Sequence, residues 1–313
     1  MENFFDTNRI LQIIWKWKWH FVAVGAIAFV LAAIITMPFI MRPKFKSTAR
    51  LYPINVETLS KESESEQLLE ILNSMDIKLE MFKAFKLAEY YEIDPDDPHK
   101  LTYLINDYEE NVNIKKTEFE TIEIKVLDWD PGRAKDMVDS LIVMLNRKVG
   151  MLDRAMYSDI ARVTATELKR TNKVIDSVVE QMTQIRKDYG ILDYEMQVKE
   201  LSRAYGDALA AGKTGGAKNI KKVLDNFAEE GGRFKLLEER LEGMQSNADS
   251  IQAYHNKAKV MATRQISYSH VVQKPFVADK KAWPIRWLIA LMSVFSSLFL
   301  ALIVILIIEN QRN

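Results

Sequence analysis

Two long apolar segments, one near each end of the chain, constrain the fold more than any other feature of the sequence. Residues 21–41 and 287–308 contain no charged side chain. A helix needs about 20 apolar residues to cross the hydrocarbon core of a bilayer, and both segments are that long. Tryptophans and lysines flank both segments, as is typical of the membrane–water interface. The sequence therefore predicts two membrane-spanning helices.

The first apolar segment also has the position of a signal peptide. The apolar core of a signal peptide is shorter, about 7–15 residues, and a cleavage site of small residues follows it. No such site is present in residues 38–47. We therefore expect the segment to remain in the protein as an anchor.

Two spans place both termini on one side of the membrane and nearly all of the intervening chain on the other. Lysine and arginine residues lie on both sides of the first span, and more of them precede the second span than follow it. The positive-inside rule is weak for long connecting segments. The charge pattern therefore leaves the orientation open.

The overall composition excludes several kinds of function. The chain has 43 basic and 43 acidic residues, and this balance predicts no nucleic-acid partner. It has no cysteine, which excludes disulfides, zinc–thiolate sites and a cysteine nucleophile. The four histidines and the acidic turn at 94–97 lack the spacing of metal ligands. We expect no catalytic residues, no cofactor and no metal.

Gly212-Lys213-Thr214 resembles the end of a phosphate-binding P-loop. That motif requires a glycine five positions before Gly212, where Asp207 stands, and a strand before the loop. The segment upstream has the pattern of a helix. We therefore predict a turn between helices and no nucleotide binding.

Strand-like and helical segments alternate after the first span. Strand composition or alternation is found at 45–52, 112–116, 121–127 and 265–273. Apolar residues recur at helical spacing in 67–91 and after Asp130-Pro131, which is a typical start of a helix. Because strands lie near both spans, they can pair into one sheet close to the membrane.

A coiled-coil pattern begins near residue 151. Apolar residues separated alternately by three and four positions form the a/d seam of a heptad repeat. The candidate seam residues are Ile175, Val178, Met182 and Ile185, then Leu237, Leu241, Met244 and Ile251. The first seam continues through Leu192 to Met196, and the second includes Val223. Two long helices with a thin shared core favour self-association of several copies.

Glycines divide the coiled-coil region. The stretch 206–216 contains four of them and separates the two seams, so it predicts the tip of an antiparallel helical hairpin. Gly231-Gly232 lies inside the second seam, where we expect it to kink or break the helix.

Small residues recur along both apolar segments. They are Gly25, Ala28 and Ala32 in the first segment and Ser293, Ser297 and Ala301 in the second. Small residues four positions apart allow membrane helices to approach closely, so these are candidate packing surfaces. An ordinary lipid-facing composition explains them equally well.

Four local features match one known family in order along the chain. They are the tryptophan-rich lead at 10–19, the strand at 45–52, Asp130-Pro131 followed by Ala134, and the segment with Pro275 and Pro284 that leads into the last span. Over nearly the whole chain, this layout resembles the polysaccharide co-polymerases, the Wzz-type chain-length determinant family.

The resemblance implies an α+β membrane protein. Two transmembrane helices would flank an extracytoplasmic domain with a membrane-proximal α/β base and a long antiparallel helical hairpin. The expected division is a cytoplasmic N terminus at 1–20, a transmembrane helix at 21–41, the base at 42–150, the hairpin at 151–264 with its tip near 206–216, the return strand and proline segment at 265–286, a second transmembrane helix at 287–308 and a cytoplasmic C terminus at 309–313.

The resemblance also implies a function. It predicts a non-enzymatic homo-oligomer of the bacterial inner membrane, mostly periplasmic, that regulates the chain length or the assembly and export of O-antigen, capsule or exopolysaccharide. The implied partners are membrane lipid, a polysaccharide polymerase and a lipid-linked glycan. Some relatives carry a fused tyrosine kinase. Residues 309–313 are too few for one, so a kinase partner is expected as a separate chain.

Two other functions are compatible with two spans and a large external domain. A sensory receptor needs a cytoplasmic output module, for which 309–313 is too short. An adaptor of an envelope export system usually has one anchor and β-rich segments beside its hairpin. The second span therefore makes the adaptor less compatible with this sequence.

Overall fold

The computed structural model describes residues 7–58 and 61–312. The chain divides into two units, which we call the base unit (Met1–Val149 and Ile266–Asn313) and the hairpin unit (Gly150–Gln265). The helices are α1 Thr7–Lys16, α2 Lys18–Ile35, α3 Glu64–Asn73, α4 Met75–Ala84, α5 Leu87–Tyr90, α6 Lys100–Asn111, α7 Pro131–Tyr189, α8 Tyr194–Ala210, α9 Thr214–Thr263 and α10 Arg286–Arg312. The strands are β1 Lys44–Pro53, β2 Val112–Lys116, β3 Ile122–Asp128, β4 Ser269–Gln273 and β5 Lys281–Trp283.

The predicted fold class is confirmed. The described chain is mostly helical, with one small antiparallel sheet, an apolar helix near each end and a long helical hairpin. Helix α6 lies in a region for which the sequence pattern made no helix prediction. Helix α7 starts at the predicted Asp130-Pro131 boundary and continues without interruption past residue 151.

Strand β1 organises the sheet because three other strands pair with it. β3 runs antiparallel along one side, with Ala49 opposite Ile124. β4 and β5 share the other side: β4 pairs with the C-terminal half of β1, and β5 places Trp283 opposite Lys44. β2 pairs with the outer side of β3. The strand pieces near the two spans therefore form one sheet.

The core of the base unit lies between one face of this sheet and its helices. Alternate residues of β1 and β3, among them Leu51 and Ile124, are fully buried. The apolar face of α7 packs in the same cluster, with Met137 and Leu141 buried. Burying a large aliphatic side chain contributes about 1.5–3 kcal/mol. This core, which also includes Tyr268, therefore holds together the parts of the base unit that precede and follow the hairpin unit.

One amide side chain links α7 to the returning chain. The carboxamide oxygen of Asn146 accepts hydrogen bonds from the backbone N–H of Tyr268 at 2.7 Å and of Ser269 at 3.1 Å. Its nitrogen donates to the hydroxyl of Ser269 at 2.7 Å. Because Tyr268 and Ser269 are buried, their polar groups need these protein partners, and Asn146 sets where β4 begins.

The first apolar helix is shorter than the apolar segment that predicts it. Helix α2 ends at Ile35, and residues 36–41 form turns. The hydroxyl of Thr36 donates to the carbonyl of Ala32 at 2.9 Å, and Pro38 has no N–H with which to continue the helix. The side chain of Phe39 is 98% exposed. The bound predicted at residue 41 is therefore wrong for the helix itself.

The second apolar helix extends beyond its predicted segment. Helix α10 runs over Arg286–Arg312, against a predicted 287–308. The polar residues 309–312 continue the helix because none of them is a glycine or a proline, the residues least favourable in a helix. The stretch Arg286–Glu309 and helix α2 are both long and apolar enough to cross a membrane.

The hairpin unit has two arms. One arm is the part of α7 from Gly150 onward, followed by α8, and the other is α9. Its core contains Val178, Met182, Ile185 and Ile191 from the first arm and Phe227, Phe234 and Leu237 from the second. The turn between α8 and α9 lies at residues 211–213, within the predicted stretch 206–216, although Gly206 is helical.

The helix break lies in the arm opposite the one predicted. Helix α9 is continuous through Gly231-Gly232, while the first arm breaks between Tyr189 and Tyr194. Gly190 has a φ of 71°, a conformation that favours glycine. Asp193 caps α8 by accepting a hydrogen bond from the N–H of Met196 at 2.9 Å. These two signals are readable in the sequence but were obscured by the continuous heptad spacing.

The break shifts the apolar seam. Leu192 and Met196, predicted on the seam, are 68% and 59% exposed. Ile191 is fully buried instead, and Tyr194 and Val198 pack beside it. In α9, the predicted Val223 is likewise more exposed than the neighbouring Leu224. The heptad extrapolation was wrong at Leu192 and Met196 because it assumed that the helix of the first arm is uninterrupted.

Gly231 is needed for close packing, whereas Gly232 is not. A Cβ on Gly231 would overlap the ring of Tyr194, but a Cβ on Gly232 would meet open space. We expect Gly231→Ala to lower the free energy of unfolding by about 1–3 kcal/mol through overpacking. Gly232→Ala should raise it by about 1 kcal/mol because alanine is the better helix former. Thermal unfolding followed by circular dichroism measures both, and equal effects would contradict this packing.

Candidate functional site

The two apolar helices pack against each other within the base unit. Gly25 lies so close to α10 that a Cβ on it would contact the side chains of Val294 and Leu298. Large apolar side chains on other faces, such as Phe29 and Phe295, are exposed. An exposed apolar surface of this kind suits a lipid environment.

The six small residues predicted to pack the spans lie on the covered sides of these helices. Ala32 is buried, and the half-buried residues are Gly25, Ala28, Ser293, Ser297 and Ala301. Ser297 donates its hydroxyl to the carbonyl of Val294 at 2.9 Å, inside its own helix. Small side chains here let the two backbones approach. Their contribution in a bilayer stays a prediction.

An ion pair joins the start of the first span to the end of the second span. The Lys16 ammonium lies 2.5 Å from one carboxylate oxygen of Glu309, and the Trp17 indole N–H donates to the other at 3.4 Å. The side chain of Glu309 is only 13% exposed. Sequence analysis missed this contact because its partners stand at opposite ends of the chain. The lysine–tryptophan lead and the acidic residue just after the last apolar run were its only signals.

The predicted seam residues lie along the hairpin core. Val178, Met182, Ile185 and Leu237 are buried, and Ile175, Leu241, Met244 and Ile251 are half-buried. Their role in assembly stays a prediction.

A histidine on the seam also joins the arms. Nδ1 of His255 lies 3.0 Å from the carbonyl oxygen of Ala161 and 3.1 Å from the hydroxyl of Thr164. Since the carbonyl can only accept, Nδ1 carries the proton. A polar contact of this type favours one register of the two helices.

The proline-containing segment connects β4, β5 and α10. Pro275 is half-buried just after β4, and the hydroxyl of Ser47 in β1 donates to the carbonyl of Phe276 at 3.0 Å. Pro284 is buried between β5 and the start of α10. The segment therefore follows one edge of β1 back to the point where the chain leaves the first span.

A pocket of about 570 Å³ opens in the base unit beside residue 42, a short distance after the first span. Its walls include Arg42, Lys86, Tyr90, Trp129 and Arg133. The rings of Tyr90 and Trp129 lie 5.2 Å apart between centroids. The guanidinium of Arg133 lies 3.8 Å from the ring centroid of Tyr90, and that of Arg42 lies 5.2 Å from that of Trp129.

Asp128 holds two of the side chains that line this pocket, Tyr90 and Arg133, in place. It is buried, accepts a hydrogen bond from the Tyr90 hydroxyl at 2.6 Å and lies 3.5 Å from Nε of Arg133. Burial raises the pKa of the Asp128 carboxyl despite these contacts. Burial and the hydrogen bond to Asp128 also raise the pKa of Tyr90, so its hydroxyl stays protonated. Sequence analysis missed the pocket because turns from distant segments meet there.

The P-loop-like residues and possible metal ligands have no catalytic geometry in the part of the chain that is described. Gly212-Lys213-Thr214 connects helix α8 to helix α9, whereas a P-loop follows a strand. Among residues 7–58 and 61–312, no cluster of three or more His, Asp or Glu side chains could hold a metal ion.

The packing of the spans can be tested by disulfide formation because the chain has no cysteine of its own. Gly25→Cys combined with Leu298→Cys should cross-link within one chain in intact membranes, since these positions are in contact. The matched pair, Gly25→Cys with Phe295→Cys, should not, since Phe295 is exposed. Loss of maleimide labelling after mild oxidation, without a dimer on a gel, measures closure. Equal closure in both pairs would refute this pairing.

Comparison with known proteins gives one match in sequence and several likenesses in fold. Residues 3–94 match the family model of the chain length determinant protein, Wzz. A search of curated proteins found no match. Among solved structures, a full-length bacterial polysaccharide co-polymerase is similar over 97% of both chains, at 13% identity and a TM-score of 0.42.

Two further structures are similar over part of this chain. A fragment of WzzB, the polysaccharide co-polymerase from Salmonella Typhimurium, has 12% identity and a TM-score of 0.30 over 77% of this chain and 100% of its own. A point mutant of WzzBSF, the Shigella flexneri lipopolysaccharide O-antigen chain-length regulator, has 12% identity and a TM-score of 0.31 over 76% of this chain and 99% of its own.

The match at residues 3–94 covers the first span, β1 and the helices that follow it. The structural likenesses have TM-scores below 0.5, so the assignment depends on the sequence match. With two apolar helices packed together, the chain is a two-pass membrane protein. Its residues 3–94 match the Wzz family of chain length determinants, the family that the sequence resembles.

Proposed function

We propose that this protein regulates the chain length of a cell-surface polysaccharide without catalysing a reaction itself. The observation that carries the proposal is the match of residues 3–94 to the chain length determinant family. The match includes the first span and β1, the central strand of the sheet. Because β1 pairs with β5, which leads into the second span, the two spans start close together. Both helices would lie in the bacterial inner membrane, with the base and hairpin units in the periplasm and both termini in the cytoplasm.

Regulation without catalysis requires a scaffold that holds other molecules in a defined geometry. Helix α9 has 50 residues and is therefore about 75 Å long. The base unit is a compact sheet-and-helix core continuous with both spans. Such a scaffold would position a membrane polymerase and its lipid-linked glycan.

Self-association would supply a surface larger than one copy offers. Both arms of the hairpin expose large apolar side chains, including Val163, Leu236 and Val260. Exposed apolar surface is a common feature of protein–protein interfaces. We propose that further copies of this chain cover these residues in a homo-oligomer.

Removal of the protein tests the proposed function. Deleting the gene should change the length distribution of a surface polysaccharide, or its amount at the surface, and leave the sugar composition of its repeat unit unchanged. Electrophoretic separation of extracted polysaccharide by size, with sugar analysis alongside, measures both. An unchanged length profile and amount would refute the proposal, and a changed sugar composition would indicate an enzyme.

Complementation provides a matched control for this experiment. The wild-type gene should restore the length profile, whereas Ile185→Asp should not, because it buries an unpaired charge in the hairpin core. Gln181→Asp, on an exposed position of the same helix, should restore it. Restoration by Ile185→Asp would mean that the hairpin core is dispensable for length control.

Orientation in the membrane has a separate test. A phosphatase reporter that is active only outside the cytoplasm, inserted at Gly212, should be active. The same reporter fused after residue 313 should be inactive. Gly212 is exposed in the turn between α8 and α9 and has a φ of 67°, so an insertion there disturbs little packing. The reverse pattern of activity would place the base and hairpin units in the cytoplasm.

A further inference from the structure

The pocket beside residue 42 combines a fixed wall with movable side chains. Tyr90 and Arg133 form the fixed part, because Asp128 contacts both and the guanidinium of Arg133 also donates to the carbonyl of Phe85. Trp129 packs against the rings of Tyr90 and Tyr91. These contacts hold two aromatic rings and one guanidinium in place without a ligand.

The opposite side of the pocket is held only weakly. Arg42 covers Trp129 and donates to Glu92 at 3.4 Å, but the two side chains are 61% and 72% exposed. Exposed ion pairs of this type contribute about 0–1 kcal/mol. Arg42 can therefore leave the ring of Trp129 or close over a molecule placed there.

Lys86 adds a third cation at a strained position. Its φ is 46°, in the left-handed region that residues with a side chain rarely adopt. Strain of this kind persists where the surrounding structure imposes it, and functional sites are common places for it. Here it separates α4 from α5 and places a lysine in the wall of the pocket.

The mixture of groups identifies the ligand chemistry. Three cations are balanced by Glu89 and Glu92 in the lining and by Asp128 beneath it, so the pocket has both hydrogen-bond donors and acceptors and no net positive charge. A phosphate would meet repulsion from these carboxylates. A sugar has hydroxyl groups that donate and accept, and an apolar C–H face that packs on aromatic rings. The volume lies within the range of about 300–1,000 Å³ that is usual for ligand pockets.

We propose that this pocket binds sugar residues of a glycan, with Trp129 as the stacking surface and Arg42, Lys86 and Arg133 as hydrogen-bond donors. The inference rests on the proposed function for the identity of the glycan, which is the polysaccharide whose length is regulated. Arg42 follows the first span after one short turn segment, so the pocket is accessible to a glycan attached to a lipid in the same membrane.

Direct binding tests the proposal. The full chain in lipid nanodiscs is titrated with oligosaccharides released by mild hydrolysis from the producing strain's own surface polysaccharide. Saturation-transfer NMR and calorimetry measure binding. We expect Trp129→Leu to weaken binding at least tenfold, and Arg42→Ala combined with Lys86→Gly to do the same. Arg162→Ala, which removes an exposed arginine of the hairpin unit, should bind like the wild type.

The double variant keeps the test valid if Trp129→Leu fails to fold. Arg42 is an exposed side chain, and glycine adopts the backbone conformation of residue 86 without strain. Oligosaccharide binding by the double variant at wild-type affinity would overturn the proposal. Binding of inorganic phosphate or of vesicles with anionic lipid through the same residues, with no oligosaccharide binding, would overturn it in favour of an anion site.

The polysaccharide length profile separates this inference from the proposed function. If deletion of the gene changes the profile but the double variant binds and complements like the wild type, the pocket proposal is wrong and the proposed function stands. If deletion leaves the profile unchanged, the proposed function is wrong, and the binding assay still decides whether the pocket takes sugar. Loss of both binding and length control in the double variant supports both.

Discussion

The pairing of β1, which follows the first span, with β4 and β5, which precede the second span, is the interaction on which the base unit depends. Lys44 lies opposite Trp283, so the chain leaves the first span next to the point where it enters the second. The entropic cost of closing a loop grows only slowly with its length, and the many residues in between therefore add little to the cost of this pairing. Because the two spans start side by side, Gly25 in the first span can contact side chains of α10.

The hairpin unit illustrates how one local signal changes the packing of a long helix. Gly190 ends α7 and Asp193 restarts the arm as α8, and the residues between them displace the apolar face. Ile191 then fills the core in place of Leu192, and Tyr194 packs on Gly231 of the opposite arm. The glycine pair that looks like a helix breaker serves as a packing site instead, because a neighbouring ring needs the space.

One cluster of charged and aromatic side chains in the base unit includes Arg42, which lies shortly after the first span. Asp128 orients Tyr90 and Arg133, and Arg42 covers Trp129 from the other side. Such an arrangement costs desolvation of a carboxylate, and the raised pKa of Asp128 reflects that cost. The stable fold does not need these charged groups beside open aromatic rings, and their presence is the physical basis for assigning the pocket a binding role.

The sequence by itself determined the class of this protein, because its signals are local. Uncharged segments predict spans, alternation predicts β1 and β3, and heptad spacing predicts a hairpin, each from neighbours within a few turns. It did not determine where α2 stops, which side of the first arm is buried after Gly190, or that Lys16 meets Glu309. Nor did it place Arg42, Tyr90 and Trp129 around one pocket. Those features arise from contacts between residues far apart in the chain, and only the tertiary structure decides which distant residues meet.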